Sequence, residues 1–264
     1  MYCAYIFKFS SQCYNIFISR TYSTFINSLI NQEVICVAIK VACFNLKGGV
    51  GKTTWAIILT QIALMHKQNV VAFDQDEQQN FSYYMSHLKD NVSFKNLLTV
   101  RTDPLKEEHF NISTDWLIID CHPSANELSK FALKNADFVL IPVTPNINDV
   151  MHLDKIRTIA GENKELIQFP IVKIGFGAAG VGAVATHVDQ IIIDMGFAPA
   201  VIGNTLYYKL ITKNLYCVPR KWWSVGLSAN QREPFENIYT ELLHRYNQLS
   251  AIRNKNKNWD ATGE

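Results

Sequence analysis

The sequence predicts a doubly wound α/β fold, a mostly parallel sheet flanked by helices, and three observations carry that expectation. Short unbroken apolar runs recur along the chain, helix-patterned stretches separate them, and two of the runs end in a carboxylate. Strands buried on both faces of a parallel sheet read as continuous apolar runs rather than as alternation. Runs that alternate with helices are the sequence form of crossover units, in which each helix carries the chain back across the sheet.

The elements follow in order. The first strand is the run from Val37 to Phe44, followed by a glycine-rich loop and the helix-patterned run Thr53 to Met65. Asn69-Val70-Val71-Ala72-Phe73-Asp74 is the next strand, and Phe81 to Leu88 the helix after it. Trp116-Leu117-Ile118-Ile119-Asp120 follows the polar stretch Asn111 to Asp115, and a helix is expected over Asn126 to Asn135. Phe138-Val139-Leu140-Ile141-Pro142 and Ile171-Val172-Lys173-Ile174 are further strands, with helices over Asn148 to Ala160 and Ala183 to Met195. Pro234 is expected to open a last helix to about Ser250, where Phe235, Ile238, Leu242 and Tyr246 recur at helical spacing. Beyond it, Asn254 to Glu264 is polar and is expected to fray.

Length and composition bound the rest. A chain of 264 residues with 48% hydrophobic and 18% charged residues can bury a full core as one globular domain, taken here as residues 37–250. Residues 1–36 read as an extension whose place in the native protein is open, and residues 251–264 as a polar tail. In the extension, Lys8 and Arg20 interrupt any run long enough to span a bilayer, and no small-residue cleavage site follows a clean apolar core. A start-site misassignment is the leading reading of this segment, and a short amphipathic membrane or partner segment the second. The six cysteines, Cys3, Cys13, Cys36, Cys43, Cys121 and Cys217, make no Cys-x-x-Cys pair and no zinc-like spacing. Cys43 and Cys121 sit in apolar runs and are expected to be buried free thiols.

The strongest chemical signal is Lys47-Gly48-Gly49-Val50-Gly51-Lys52-Thr53-Thr54, between the first strand and the first helix. Three glycines within four positions let the backbone take dihedrals closed to other residues and aim its N–H groups at an anion. The helix that starts at the loop's end adds its own free N–H groups and positive dipole end. In such a loop Lys52 would reach the β- and γ-phosphates of a nucleotide, and the Thr53 hydroxyl would ligate Mg²⁺. Asp74 and Asp120 close their strands, so both are expected at the edge where ligands of open parallel sheets bind. Asp120, after four apolar residues, fits a carboxylate that holds Mg²⁺ through water. Strand-ending aspartates also cap turns and helices, which is the structural alternative for Asp74, Asp76 and Asp120.

Leu46 stands where the general phosphate-loop pattern has glycine, but Lys47 with Gly48-Gly49 resembles the deviant Walker A box of the ParA/MinD group of ATPases. The resemblance runs from about Lys40 to Tyr246 and extends to three further segments. These are Asp74-Gln-Asp-Glu-Gln-Gln-Asn, Asp120-Cys121-His122-Pro123, and Ile141-Pro142-Val143-Thr144-Pro145. Together they look like the small plasmid-partition ATPases that lack an N-terminal helix-turn-helix domain. The resemblance implies a P-loop fold, ATP and Mg²⁺ as cofactors, and ATP hydrolysis that is slow and partner-stimulated. It gives Lys47 the role of a signature lysine that reaches the phosphates of the partner subunit. Asp74 would orient the attacking water, Asp76 would lie close to the metal or the dimer contact, and Pro142, Thr144 and Pro145 would lie by the nucleoside. It further implies an ATP-bound homodimer that binds DNA without sequence preference and a ParB-like or centromere-binding adaptor that stimulates hydrolysis. Location would be the cytoplasm, on the nucleoid, with no stable membrane association. Glu77 departs from the family's usual proline and Gln79 from a frequent glycine, which puts the hydrolysis rate and the shape of that segment in question.

Weaker signals point elsewhere or nowhere. Between Thr205 and Lys257 nine basic residues, Lys209, Lys213, Arg220, Lys221, Arg232, Arg245, Arg253, Lys255 and Lys257, face only three acidic ones, Glu233, Glu236 and Glu241. That excess suits a polyanion or a solvated basic face equally. Trp222-Trp223 could stack on nucleic acid but suits packing of a loop better. Gly175-Phe-Gly177-Ala-Ala-Gly180 has a dinucleotide-binding spacing without the acidic strand end that fingerprint requires. No Asn-Lys-x-Asp motif occurs, which favours ATP over GTP. His122 beside Asp120 is expected to be a loop residue, because phosphoryl transfer runs on positioning and charge stabilisation rather than on a histidine base. A MinD-like membrane-cycling division regulator would need a terminal amphipathic helix, which the Asn- and Lys-rich end does not supply. An iron–sulfur carrier would need bridging cysteines, and a nucleotide-sensing DNA-bound regulator with little hydrolysis keeps the fold without the enzyme.

Overall fold

The computed structural model describes residues 38–89, 94–144, 146–161, 163–173, 183–197, 199–200 and 229–262. Seven strands lie in it: β1 (Ile39–Cys43), β2 (Val70–Asp74), β3 (Leu98–Arg101), β4 (Trp116–Asp120), β5 (Phe138–Val143), β6 (Ile171–Lys173) and β7 (Pro199–Ala200). They form one sheet in the order β3-β2-β4-β1-β5-β6-β7, and every pairing is parallel. The helices are α1 (Lys52–Met65), α2 (Asn80–Lys89), α3 (Glu127–Asn135), α4 (Ile147–Val150), α5 (Leu153–Ala160), α6 (Ala183–Asp194) and α7 (Ala229–Thr262). The expected doubly wound, parallel α/β architecture is therefore the one the chain adopts.

The apolar runs are unbroken because the sheet is covered on both faces. All five residues of β4 are buried, and they alternate between two cores. Trp116 and Ile118 join Val41, Phe138, Trp55, Ile58, Ile62 and Leu242 on the face covered by α1, α2 and α7. Leu117 and Ile119 join Val139, Ile141, Leu133, Ile156 and Ile192 on the face covered by α3, α5 and α6. Burying a side chain the size of Ile58 contributes about 2 kcal/mol, so the two cores together dominate the stability. Helix α1 is itself buried nearly all round, from Trp55 to Leu64, because α2 and α7 pack over it. Its sequence accordingly shows little amphipathic contrast.

Four differences from the expected elements have physical reasons. β3 is a four-residue edge strand, Leu-Thr-Val-Arg, with only Leu98 buried, too short and too mixed to stand out as an apolar run. The helix expected over Asn148 to Ala160 is two helices: Asn146 caps α4 by accepting from the Asn148 N–H at 2.9 Å, and the chain turns at Met151 and His152 before α5. α7 begins at Ala229 rather than at Pro234, since one missing N–H near a helix start costs only one backbone bond. It also continues past Ser250 to Thr262, because no glycine or proline interrupts Phe235 to Thr262 and Gly263 follows directly. Cys43 and Cys121 are buried free thiols, as expected, and burial holds both well above the usual thiol range.

Candidate functional site

The loop after β1 is built by its glycines. Gly49 sits at φ +74° and Gly51 at φ +95°, in the left-handed region that a side chain disfavours. Gly51 is the N-cap of α1, and its carbonyl accepts from the Trp55 N–H at 3.0 Å. A Cβ added at Gly48 or Gly49 would meet no atom within 4 Å, so the loop faces open space rather than packed protein. That space is a cavity of about 530 Å³ whose lining includes Gly48, Gly51, Lys52, Thr53, Thr54 and Asp76.

Strand register brings the carboxylates to the same edge. Cys43 of β1 and Asp74 of β2 both stand opposite Asp120 of β4, so three strand ends lie level beside the loop. Asp120 is 1% exposed, and neither of its carboxylate oxygens has a hydrogen-bond partner. Burial pushes its pKa up to about 8; the nearby Thr53 side chain and Lys52 pull the other way, and Asp74 and Asp76 add to the rise. Lys52 is 6% exposed and its Nζ donates to the Lys47 carbonyl at 3.1 Å. Burial lowers its pKa, against the attraction of Asp120 and Asp76. A desolvated ammonium and a carboxylate without a hydrogen-bond donor therefore lie near one another at one end of a glycine loop, each only partly compensated by the other.

The donor set fits a nucleotide phosphate with a divalent cation. Loop amides and Lys52 would take the phosphate oxygens, and Thr53 with Asp120 would hold Mg²⁺, for which an unpartnered buried carboxylate and a hydroxyl are suitable oxygen donors. The cation would supply charge neutralisation between the phosphates.

Asp74 is placed differently from Asp120. It is 2% exposed; its Oδ1 accepts from the Asp76 N–H at 3.1 Å and its Oδ2 from the Ser82 N–H at 2.8 Å. Burial raises its pKa and these donors lower it. Asp74 thus shapes the β2–α2 connection and caps the start of α2, the structural role named beside the catalytic one, while each oxygen keeps a second lone pair. Asp76 lines the cavity and its Oδ1 accepts from the Gln78 N–H at 3.0 Å. The connection is tied to β4 and to the loop after β3 by Gln75, whose N–H donates to the Asp120 carbonyl at 2.9 Å and whose Oε1 accepts from the Leu105 N–H at 3.0 Å.

Gln79, at the position where glycine is frequent in the resembling family, takes φ +51°, a left-handed conformation for a residue with a Cβ. Gln79→Gly is therefore expected to raise the unfolding free energy by about 0.5–1 kcal/mol, the strain relieved less the extra entropy of an unfolded glycine. Denaturant titration checks this, and an unchanged or lower midpoint contradicts it.

Lys47, Thr144 and Pro142 gather on the β5 side of the loop. The Lys47 Nζ is ion-paired with Asp149 Oδ1, and Asp149 Oδ2 accepts from both the backbone N–H and the hydroxyl of Thr144. Asn45, fully buried, donates from Nδ2 to the Pro142 carbonyl at 2.9 Å and accepts the Lys47 N–H at 3.1 Å. Val50 is buried beneath the loop, 1% exposed. His122 uses Nδ1 within its own turn, accepting the Ser124 N–H at 3.2 Å, as suits a loop residue. Asp149, Asn45 and Tyr84, the last on the cavity wall, are site residues that sequence reasoning passed over. Asp149 has a sequence signal only as the acidic residue three positions after the cap Asn146, which marks a helix start and nothing more.

Pro145, the segment Gly175 to Gly180, Cys3, Cys13, Cys36 and Cys217, residues 1–36, and the basic and tryptophan residues Lys209, Lys213, Arg220, Lys221, Trp222 and Trp223 lie outside the described residues. Of the basic cluster that is described, Arg245 and Arg253 serve the fold. Arg245 is 6% exposed and donates to Glu241 at 2.8 Å and to the Ile167 carbonyl at 3.1 Å; Arg253 binds Asp137 at 2.9 Å.

A family model described as "AAA domain" matches residues 38–113, from β1 to just past β3. No curated protein sequence matches the chain. Among solved structures, a Borrelia burgdorferi protein assigned to plasmid partition and bound to AMPPNP shares 19% identity at a TM-score of 0.58, covering 79% of this chain and 99% of its own. A ParA family ATPase from Chlorobium tepidum shares 16% identity at a TM-score of 0.52, covering 75% and 96%. The MinD cell division protein of Aquifex aeolicus shares 14% identity at a TM-score of 0.57, covering 76% and 95%. The chain has the fold of the ParA/MinD-type P-loop ATPases, and its glycine loop opens onto the cavity at the edge where that fold binds ligands.

Proposed function

We propose that this protein is a Mg²⁺-dependent ATP hydrolase that pairs with a second copy of itself on ATP and acts in partition of plasmid or chromosomal DNA. The observation that supports it most is the junction of a glycine loop, a buried Lys52 and a buried Asp120 carboxylate without a donor at the strand ends. In this reading the loop amides and Lys52 bind the phosphates and Thr53 and Asp120 orient the cation. Asp76, on the cavity wall, would lie close to the cation or to the dimer contact. Lys47 neutralises charge across the dimer, and closure of two subunits excludes water, which strengthens each of these charges. Thr144, with Pro142 and Pro145, would border the nucleoside. DNA would bind without sequence preference through basic residues of the C-terminal third, and an adaptor of the ParB kind would stimulate hydrolysis.

Asp74 favours a second reading in which hydrolysis is very slow and nucleotide mainly sets a DNA-bound state, because two backbone donors already hold its carboxylate. A membrane-cycling role has less support: no helix among the described residues is long and apolar enough to cross a membrane, and the end of α7 reads Arg-Asn-Lys-Asn-Lys-Asn rather than as an apolar stripe. Gel shift of non-specific DNA with ATP, with ADP and without nucleotide tests the reading. A shift with ATP alone is expected, weakening steeply with salt. Equal shifts in all three would contradict an ATP-set DNA state, and phosphate release measured alongside separates hydrolysis from sensing.

A further inference from the structure

A second cavity, of about 510 Å³, lies at the rim of the sheet away from the phosphate loop, between the ends of α3 and α5 and the outer part of α7. Among the described residues the two cavities share no lining residue. Its charge is one-sided: Lys134 from α3, Lys164 from the turn after α5 and Arg253 from α7 line it with a single acid, Glu165. Leu249 and Ile252 of α7 add an apolar wall.

Lys164 is the unusual member of this lining. The residue is 9% exposed, yet its Nζ donates to a neutral group, the Ala136 carbonyl at the end of α3, and makes no ion pair with a described residue. Two of its three N–H groups are thus without an acceptor among the described residues. Asp137 is engaged elsewhere, its Oδ1 by Arg253 at 2.9 Å and its Oδ2 by the Lys40 N–H at 3.0 Å. Burial lowers the Lys164 pKa to about 8; Asp137 pulls it up, and Arg253 and Lys40 push it further down. A lysine that only closed the carbonyl end of a helix could do so from the surface, with its charge in water. This one holds a desolvated ammonium beside a cavity, where an anion would compensate it.

We propose that this cavity is a second anion site, which takes the phosphate group of a small phosphomonoester on Lys164, with Lys134 and Arg253 at the rim and Leu249 and Ile252 against the ester's apolar body. Three cations against one carboxylate leave two positive charges in the lining, which match a phosphomonoester dianion better than a single carboxylate. A duplex backbone can touch the half-exposed Arg253 and the exposed Lys134 but cannot reach a buried ammonium, so the ligand is one that enters. Once bound, it would fasten the outer part of α7 to the end of α3. The site is independent of the ATP hydrolase reading.

Titration calorimetry of the full chain with phenyl phosphate tests this, after the phosphate loop has been filled with Mg²⁺ and a non-hydrolysable ATP analogue. One equivalent is expected to bind with a dissociation constant on the order of 0.1–1 mM. Inorganic phosphate should bind severalfold more weakly, because it lacks the apolar body. Lys164→Met keeps the stem without the ammonium and is expected to weaken phenyl phosphate binding by about tenfold or more, with analogue affinity unchanged. Lys134→Gln should weaken it severalfold without altering thermal stability. A parent that binds no probe at tens of millimolar, or a Lys164→Met variant that binds as the parent does, reduces Lys164 to a helix-closing lysine and overturns the proposal. Displacement of the probe by a short DNA duplex would assign the site to a nucleic-acid backbone and overturn it equally. Should Lys164→Met fail to fold, Lys134→Gln decides, and an unchanged affinity overturns the proposal. Failure of the analogue to bind the loop would remove the ATP hydrolase reading alone, since the parent and Lys164→Met can still be compared without it.

Discussion

Lys52→Ala is expected to weaken ATP binding by about 100-fold or more, the loss that follows from deleting one charge-assisted contact in a desolvated site and worth roughly 3 kcal/mol. Two features make the effect large. The ammonium is buried with a neutral carbonyl as its hydrogen-bond acceptor, so its charge is available to a phosphate rather than spent within the protein. It is also a cation near Asp120, and its removal leaves that carboxylate less compensated. Lys52→Arg should not restore affinity, since a planar guanidinium does not fit the place of a compact point charge behind Gly51. Titration calorimetry with ATP checks both variants. Micromolar affinity retained by Lys52→Ala would remove the phosphate assignment of the loop.

Asp120→Asn is expected to cut hydrolysis by roughly 100-fold or more, if the carboxylate orients the cation as proposed, while changing the pH dependence of stability in the opposite sense. The folded-state pKa of Asp120 is pushed up to about 8, above the ordinary carboxylate value, so across the interval from about 4 to 8 the folded protein holds a proton that the unfolded chain has lost. Its contribution is fully present below the unfolded pKa and is lost as pH rises toward 8. Without Mg²⁺ and nucleotide the parent should therefore lose on the order of 5 kcal/mol relative to the asparagine variant between pH 4 and pH 8. The variant has its own cost, a buried amide without assured partners, but that cost does not change with pH. Thermal unfolding in a chelator at several pH values measures the difference between the two proteins. A difference that stays constant across this range would mean that Asp120 is solvated or partnered in solution. Adding Mg²⁺ with nucleotide should recover stability in the parent and do so far less in the variant.

Much of this was legible in the residues. β1, β2, β4 and β5 are announced by their apolar runs because both faces of each are covered, and Asp74 and Asp120 by their places at the ends of such runs. The loop announces itself through the glycines whose dihedrals it needs. The less legible parts depend on contacts between segments distant in the chain. β3 exists because β2 offers it an edge, not because Leu98 to Arg101 has strong preferences of its own. Asp149 looks like an ordinary helix-start aspartate until the fold brings Lys47, 102 positions earlier, onto it. Asp74 and Asp120 look alike as strand ends, and only packing shows that one is clothed with backbone donors and the other bare. The extent of α7 is hard to read for a different reason: its last turns carry no apolar repeat, and only the missing breakers show that the helix continues.

The level ends of β1, β4 and β2 make this centre a matter of counting. Because successive residues of a strand face opposite ways, deleting a single residue from the middle of Trp116 to Asp120 would turn the terminal acid toward α3 and α5 and bring a sulfur atom or an aliphatic chain to the place it left. Length in those five residues should therefore be far less negotiable than identity. Insertions belong in the connections at the opposite rim, around Asn135 to Asp137 or Gly161 to Phe169, where an added residue leaves the tally from loop to acid unaltered.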